Sequence, residues 1–286
     1  MPIEIKNVSY VYAKGTPFET TALQNVSMTI ENGDFVGIMG HTGCGKSTLI
    51  QLIVGLMRPS EGEILIDGKD INLRGYNRSE LRRKVGLVFQ YPECQLFETT
   101  VEKDVAFGLK HLSLTKPEVT ERVRWALETV GFGFEKVRDL SPLGLSGGEK
   151  RRVAIAGVLA VKPQVLILDE PVAGLDPLGR EAFLKLTDEL NAAGTTIIMV
   201  SHNVDALAEH AKRIVVLENG EIIMDGSAKE VLGNADKLTK NQIGISQSTI
   251  IAEMLLERGV NIKQDTIRYD ELVSQLISLK RGGVTP

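Results

Sequence analysis

The run GHTGCGKS, residues 40–47, constrains this chain more than any other feature. It follows a continuous apolar segment, Phe35-Val36-Gly37-Ile38-Met39, and opens a helix-like stretch over residues 46–55, so a strand, a loop and a helix succeed one another. That context separates a phosphate-binding loop from an ordinary glycine-rich turn. Gly40, Gly43 and Gly45 let backbone amides turn inward onto phosphate oxygens, and the helix start adds its positive end. Lys46 is placed to reach the outer phosphates and Ser47 to ligate magnesium. His41, Thr42, Cys44 and Thr48 complete the segment around them. Cys44 is expected to fill space rather than act as a nucleophile, because such a loop works through its backbone.

A second constraint lies downstream. Residues 165–170, VLILDE, form an apolar strand ending in two carboxylates, and strand C-termini form the ligand edge of a parallel sheet. Alone, the pair reads equally well as a solvated strand end. With the phosphate loop present, Asp169 is expected to hold a magnesium ion directly or through water, and Glu170 to polarise the water that attacks a γ-phosphate.

Other buried-strand runs at 85–89, 196–200 and 214–217, spaced by helical patterns, predict a mainly parallel sheet covered on both faces. The alternating segments 3–12 and 26–30 predict an antiparallel sheet first. Residues 101–161 are nearly all helical in pattern, with Val119, Val123, Ala126, Leu127 and Val130 on one face. Two more helices are expected near 248–258 and 269–279. The formal net charge of -4 gives no electrostatic reason to expect nucleic acid. No apolar run approaches the roughly 18 to 20 residues of a membrane-spanning helix. The start of the chain lacks the basic flank and apolar segment of a secretory signal. Two cysteines, Cys44 and Cys94, are too few for a disulfide framework or a four-ligand zinc site, which suits a reducing cytoplasm.

Five further segments, in order, make residues 3–226 resemble the ABC (ATP-binding cassette) ATPases. LSGGEKRR at 145–152 resembles the ABC signature, which in that family closes over ATP held by the phosphate loop of a second subunit. Ser146, Gly147, Gly148 and Glu149, at the start of a helix, suit a second anion-binding surface. Gln90 matches the glutamine that senses magnesium and the attacking water. Ala173-Gly174-Leu175-Asp176 matches the loop that crosses the dimer interface, with Asp176 as its acidic end. His202 matches the histidine that contacts the γ-phosphate, and Tyr12 the aromatic that stacks on adenine, with Tyr10 as the alternative. Outside this set, His202 would read as a loop histidine and Tyr12 as a packing residue.

Residues 89–108 and 141–160 narrow the resemblance to the second ATPase subunit of energy-coupling factor (ECF) transporters, importers of cobalt and vitamins. Val172, where Thr or Ser commonly follows Asp-Glu-Pro, and Leu143-Gly144 depart from that pattern without removing a catalytic group. The resemblance implies an α/β fold: a parallel-sheet core, an N-terminal antiparallel β subdomain, a helical subdomain inserted at about 91–161 within an ATPase domain 1–233, and a C-terminal dimerisation appendage 234–286. It further implies ATP and Mg2+ as ligands, and Glu170, His202, Gln90 and Lys46 as the catalytic set. Ser47, Gln90 and Asp169 are the implied metal ligands. The implied partners are a homologous second ATPase subunit in a heterodimer, a transmembrane coupling subunit and a substrate-binding membrane subunit, at the cytoplasmic face of the membrane, with no nucleic acid. Glu93, Glu98 and Phe97 are candidates for contact with the membrane subunit. Ile250, Ile251, Met254, Leu255, Leu272, Leu276 and Ile277 recur at helical spacing and are candidates for pairing with the partner's tail, or for packing on this chain's own core. Two alternatives stand beside this reading. An ABC ATPase of DNA repair, chromosomes or translation would usually show a coiled coil, zinc cysteine pairs or two cassettes, and a degenerate cassette would have lost Lys46, Glu170 or His202.

Overall fold

The structure is a computed structural model and describes residues 1–281; residues 282–286 of the expected appendage lie outside the described residues. Ten strands are present among them: β1 Ile3–Tyr12, β2 Thr20–Ile30, β3 Phe35–Met39, β4 Glu61–Ile66, β5 Lys69–Asp70, β6 Val85–Val88, β7 Val165–Asp169, β8 Thr196–Val200, β9 Arg213–Glu218 and β10 Glu221–Ser227. The first sheet is antiparallel, in the order β2-β1-β4-β5, and the second runs β10-β9-β3-β8-β7-β6. In the second sheet β9, β3, β8, β7 and β6 are parallel, and only the edge strand β10 runs antiparallel. The expected early antiparallel sheet and parallel core are both present. Strands β4, β5 and β10 are additions that the sequence patterns did not announce.

Alternation along the parallel strands divides the molecule into two cores. Val36, Ile38, Val165, Ile167, Ile198, Val200, Val215 and Leu217 face the antiparallel sheet and Leu49, Leu52 and Ile53 of the helix Lys46–Ile53. Phe35, Met39, Leu166, Leu168, Ile197, Met199, Ile214 and Val216 face the other way. There they share one continuous core with Val123, Leu127 and Leu159 of the helical insert between β6 and β7. That insert holds the helices Val101–Val105, Lys116–Thr129, Phe134–Val137 and Gly147–Ala160. On Lys116–Thr129 the predicted face is the packed one: Val123, Ala126 and Leu127 are buried.

After β10 come four helices, Ala228–Leu232, Ala235–Lys240, Gln247–Glu257 and Tyr269–Arg281; the sequence reading anticipated the last two. Leu238, Ile243 and Ile267 enter the main core, while Ala252, Ile262 and Leu272 form a small cluster of their own with Leu255 and Leu256 beside it. Hydrogen bonds from Gln247 N to Asp205 Oδ1 (2.8 Å), Arg268 Nε to Ala208 O (2.9 Å) and Tyr269 N to Glu209 Oε1 (2.7 Å) fasten the tail to the helix Val204–His210 and the residues around it. Leu272 therefore packs within its own chain, whereas Ile251, Met254, Leu276 and Ile277 stay exposed.

Because the helical insert and the sheet share one core, Leu127→Ala should destabilise the whole chain by about 2–5 kcal/mol, the range for a large-to-small change at a fully buried site. Denaturant unfolding would check this, and a loss confined to helical signal with an unchanged main transition would show the insert to be independent.

Candidate nucleotide site

β3 delivers the chain to the C-terminal edge of the parallel sheet, where residues 40–45 wrap into the loop that opens the helix Lys46–Ile53. Two glycines are required by geometry there. At Gly45, φ is 107°, and a Cβ would lie 2.5 Å from Ala22 O and 2.7 Å from Leu23 Cδ2. At Gly40, with φ 151°, a Cβ would collide with the Leu217 carbonyl oxygen and with Cys44 Sγ. Cys44 is buried against this turn, in keeping with a space-filling role. Lys46 is 6% exposed, and its Nζ donates to Gly40 O (2.7 Å) and His41 O (2.9 Å), so the ammonium sits inside the loop. Thr42, Gly43 and Ser47 face solvent around it.

Strand register brings the other groups to the same edge. β7 ends at Asp169, paired with Val200 of β8, and Val200 lies beside Ile38 of β3. Val88 of β6 pairs with Leu168, so Gln90 leaves its strand next to the acidic pair and is exposed there. Glu170 Oε1 accepts from the His202 backbone N–H at 2.9 Å, and its Oε2 accepts from the Ser201 hydroxyl at 3.4 Å. The His202 ring Nε2 lies 3.5 Å from Glu170 Oε1. Burial raises the pKa of Glu170 against the backbone N–H of His202 and the charge of Lys46. Burial, then the charge of Glu170, raises that of Asp169, with Lys46 opposing. For His202, burial and then Lys46 lower the pKa, which favours the neutral imidazole.

The remaining predicted residues are placed separately. Ser146 caps the helix Gly147–Ala160, with Glu149 Oε2 accepting from Ser146 N (2.9 Å) and Oγ (2.6 Å), which lowers the Glu149 pKa. Ser146, Gly147 and Gly148 are exposed, and nothing lies over the two glycines. Among the described residues, no hydrogen bond of Ser146–Glu149 reaches the phosphate loop. Asp176 is occupied as the cap of the helix Pro177–Ala192, accepting from Gly179 N at 2.6 Å. Tyr12 reaches the loop's helix, sharing a 3.1 Å hydrogen bond with Thr48 Oγ1, while Tyr10 packs edge-on against it toward the core. The ring of Tyr12 is the more exposed of the two.

Sequence reasoning passed over Ser201, Arg151 and Gly220. Gly220 N donates to Cys44 O (3.1 Å), and Gly220 O accepts from Gln24 N (2.9 Å), so the β9–β10 turn buttresses the phosphate loop. Its Asn219-Gly220 pair is a hairpin signal that could have located that turn. Glu98 is paired with Lys110 (3.1 Å), and Glu93 has one buried carboxylate oxygen without a partner, so neither is a free surface charge; Phe97 is exposed.

The model of the family described as ABC transporter matches residues 23–173. Across its whole length the chain is 47% identical to the energy-coupling factor transporter ATP-binding protein EcfA2 of Clostridium tetani, covering 99% of that protein. The chain belongs to the ABC transporter family, among its energy-coupling factor ATPase subunits. Two solved structures share the fold. One is cbiO1 from Clostridium perfringens, part of the ABC transporter complex cbiONQ (39% identity, TM-score 0.72, 83% of this chain and 93% of that one). The other is the ATP-binding cassette MJ0796, a dimer in a post-hydrolysis state with ADP and Pi (32% identity, TM-score 0.70, 79% and 98%). This ABC subunit is an ATPase and the motor of an energy-coupling factor transporter.

The partly buried Glu170 carboxylate of this ATPase carries a stability signature. A carboxyl group whose folded pKa is raised stabilises the fold fully below its unfolded pKa and loses that contribution as pH rises through the folded value. Glu170→Gln cannot ionise, so without nucleotide it should melt above the unaltered chain at about pH 8, with the gap closing toward about pH 4, near the unfolded value of Glu. Thermal unfolding at both pH values checks this, and a gap of the opposite sign would mean that the hydrogen bonds to Glu170 outweigh its burial.

Proposed function

We propose that the chain binds MgATP at the edge formed by β3, β6, β7 and β8 and hydrolyses it as half of a dimer. The observation that carries this reading is the convergence of the Lys46 ammonium, the Asp169–Glu170 pair and His202 on one sheet edge. Lys46 and the amides of residues 40–48 hold the phosphates, and Tyr12 supports the adenine. Glu170, whose pKa burial raises and whose carboxylate the His202 and Ser201 donors hold, takes up the proton of the attacking water. His202 contacts the γ-phosphate, and Gln90 orients the water and reports its position to the 92–95 turn.

The donor set suits magnesium. Ser47 offers a hydroxyl, Asp169 a carboxylate and Gln90 an amide oxygen, all hard ligands. Burial makes ionisation of both acids costly, the charge of Glu170 adds to that cost at Asp169, and Lys46 opposes it at both, so a divalent ion would relieve it. Among the described residues no group of three or more His, Cys, Asp and Glu side chains could hold a metal. A magnesium ion is commonly held by only one or two carboxylates together with substrate phosphates, which this donor set, with its single ligating carboxylate, would supply. When bound, it would neutralise charge on the phosphate oxygens.

The Ser146–Glu149 segment, exposed at Ser146–Gly148, and the loop ending at Asp176 would close over the nucleotide of a second, homologous ATPase subunit, forming a heterodimer. The likeness to a dimeric cassette supports a dimer. A transmembrane coupling subunit and a substrate-binding membrane subunit complete the complex at the cytoplasmic face, with a vitamin or transition-metal ion as cargo. Among the described residues no helix is long and apolar enough to cross a membrane, so attachment runs through such partners. Exposed Tyr91 and Phe97, close to Gln90 in the chain, supply an apolar docking surface. The tail, taken as residues 234–286, pairs with the partner's tail through Ile251, Met254, Leu276 and Ile277.

Glu170→Gln should keep ATP binding while lowering turnover at least about a hundredfold, the scale of a lost acid–base group. Unchanged turnover in the assembled complex would remove Glu170 from this role.

A paired change, Met254→Glu with Ile277→Glu, tests the tail without stripping Leu238 or Ile267 from the core. It should weaken dimer assembly at least about tenfold while ATP affinity stays within about twofold, as expected for an apolar patch remote from the phosphates. Assembly equal to the unaltered chain in sedimentation would exclude this surface.

A further inference from the structure

Arg151 lies in the second turn of the helix Gly147–Ala160, yet only 5% of it is exposed. Its two Nη groups donate to one short segment of backbone. Nη1 donates to Ala173 O at 2.7 Å, and Nη2 to Pro171 O at 2.6 Å and Glu170 O at 3.2 Å. That segment has left the sheet, since β7 ends at Asp169, so neighbouring strands do not satisfy these carbonyls. An unpaired buried carbonyl is costly, and a planar fork of fixed donors suits three converging oxygens better than an ammonium does.

Glu170 itself sits at φ 47°, in the left-handed region that non-glycine residues avoid. Such a conformation persists where the surroundings over-determine it. Here the Glu170 N–H donates to Val200 O (2.9 Å) on β8, and its carbonyl accepts from Arg151 and from Ala173 N (3.2 Å). Both peptide groups flanking the side chain are thus anchored, one to the sheet and one to the signature helix, and Val172 is buried beneath the turn. With the backbone fixed in this way, the carboxylate is directed at the His202 N–H.

We propose that Arg151 is a positioning residue for hydrolysis, holding the left-handed backbone of Glu170 from the head of the helix Gly147–Ala160. The inference rests on the reading that Glu170 acts on the attacking water. Burial depresses the Arg151 pKa, and Glu93 is the foremost charge opposing this, followed by Tyr91. Arginine remains charged under that pressure, so the three bonds are charge-assisted. Arg151 Nε and Glu93 Oε2 are both buried without a hydrogen-bond partner among the described residues, so the same guanidinium keeps a free donor.

The test compares Arg151→Met, Arg151→Lys and Glu170→Gln in the full-length chain purified with the subunits that assemble with it. Steady-state hydrolysis gives kcat and KM, and a fluorescent ATP analogue gives nucleotide affinity. Arg151→Met should lower kcat at least about tenfold while KM and analogue affinity stay within about threefold, because no phosphate ligand is touched. Arg151→Lys, which can reach only some of the carbonyls, should fall between. Full kcat in Arg151→Met, or equal losses in kcat and affinity, would overturn the proposal. Should Arg151→Met fail to fold, Arg151→Lys decides: reduced kcat at unchanged KM supports positioning, and unchanged kcat refutes it. Normal turnover by Glu170→Gln would instead sink the reading of Glu170 and this inference with it, whereas an inactive Glu170→Gln beside a fully active Arg151→Met would refute Arg151 alone.

Discussion

Parallel pairing of β3, β6, β7 and β8 is the constraint on which the rest of the molecule depends. Because parallel neighbours end together, the residues that follow each strand meet at one edge, and groups separated by more than a hundred residues become one site. The phosphate loop follows β3, Gln90 follows β6, the acidic pair ends β7, and Ser201-His202 follows β8. A register slip by one residue in β7 would exchange its two faces, moving Leu166 and Leu168 out of one core and into the other. Packing on both faces therefore holds the acidic pair in place.

Charge at that edge is left deliberately unbalanced. Two partly buried carboxylates share one nearby lysine, which is itself held by carbonyls of its own loop. Burial makes ionisation of both acids costly, so the site favours whatever brings positive charge to it. On the proposed reading, a nucleotide accompanied by magnesium would bring phosphate oxygens to the loop amides and a cation to Asp169.

The supports of the site come from elements remote in sequence. The β9–β10 turn and Gln24 of β2 brace the phosphate loop through Gly220, while Arg151 braces the backbone after β7 from the helical insert. The insert and the sheet share a core, so the exposed Ser146–Gly148 surface and the sheet edge that carries the acidic pair belong to one mechanical unit. The tail is less independent than a boundary at residue 234 suggests. Its first part, with Leu238, and the later Ile267 enter the main core, and the apolar face left over is carried by Gln247–Glu257 and Tyr269–Arg281.

Sequence alone marked the phosphate loop, the acidic strand end and the parallel core. Each is written in contiguous residues whose spacing states its physics: glycines where amides must turn, and apolar runs of strand length. The signature segment, Gln90 and His202 were marked through family resemblance rather than any local property, because a lone glutamine or histidine after a strand has no distinguishing pattern. Strands β4, β5 and β10 were not legible: β5 is only two polar residues, and β5 and β10 are edge strands whose pairing is decided by a single neighbour. Tertiary structure alone decided that Glu170 adopts a left-handed backbone, that Ser201 and the His202 amide grip its carboxylate, and that Arg151 turns inward. It also decided that Glu93 is half-buried and Glu98 already paired, which alters their standing as docking charges. Hydrogen bonds between segments distant in the chain fix these features, and such bonds leave no periodicity in a sequence.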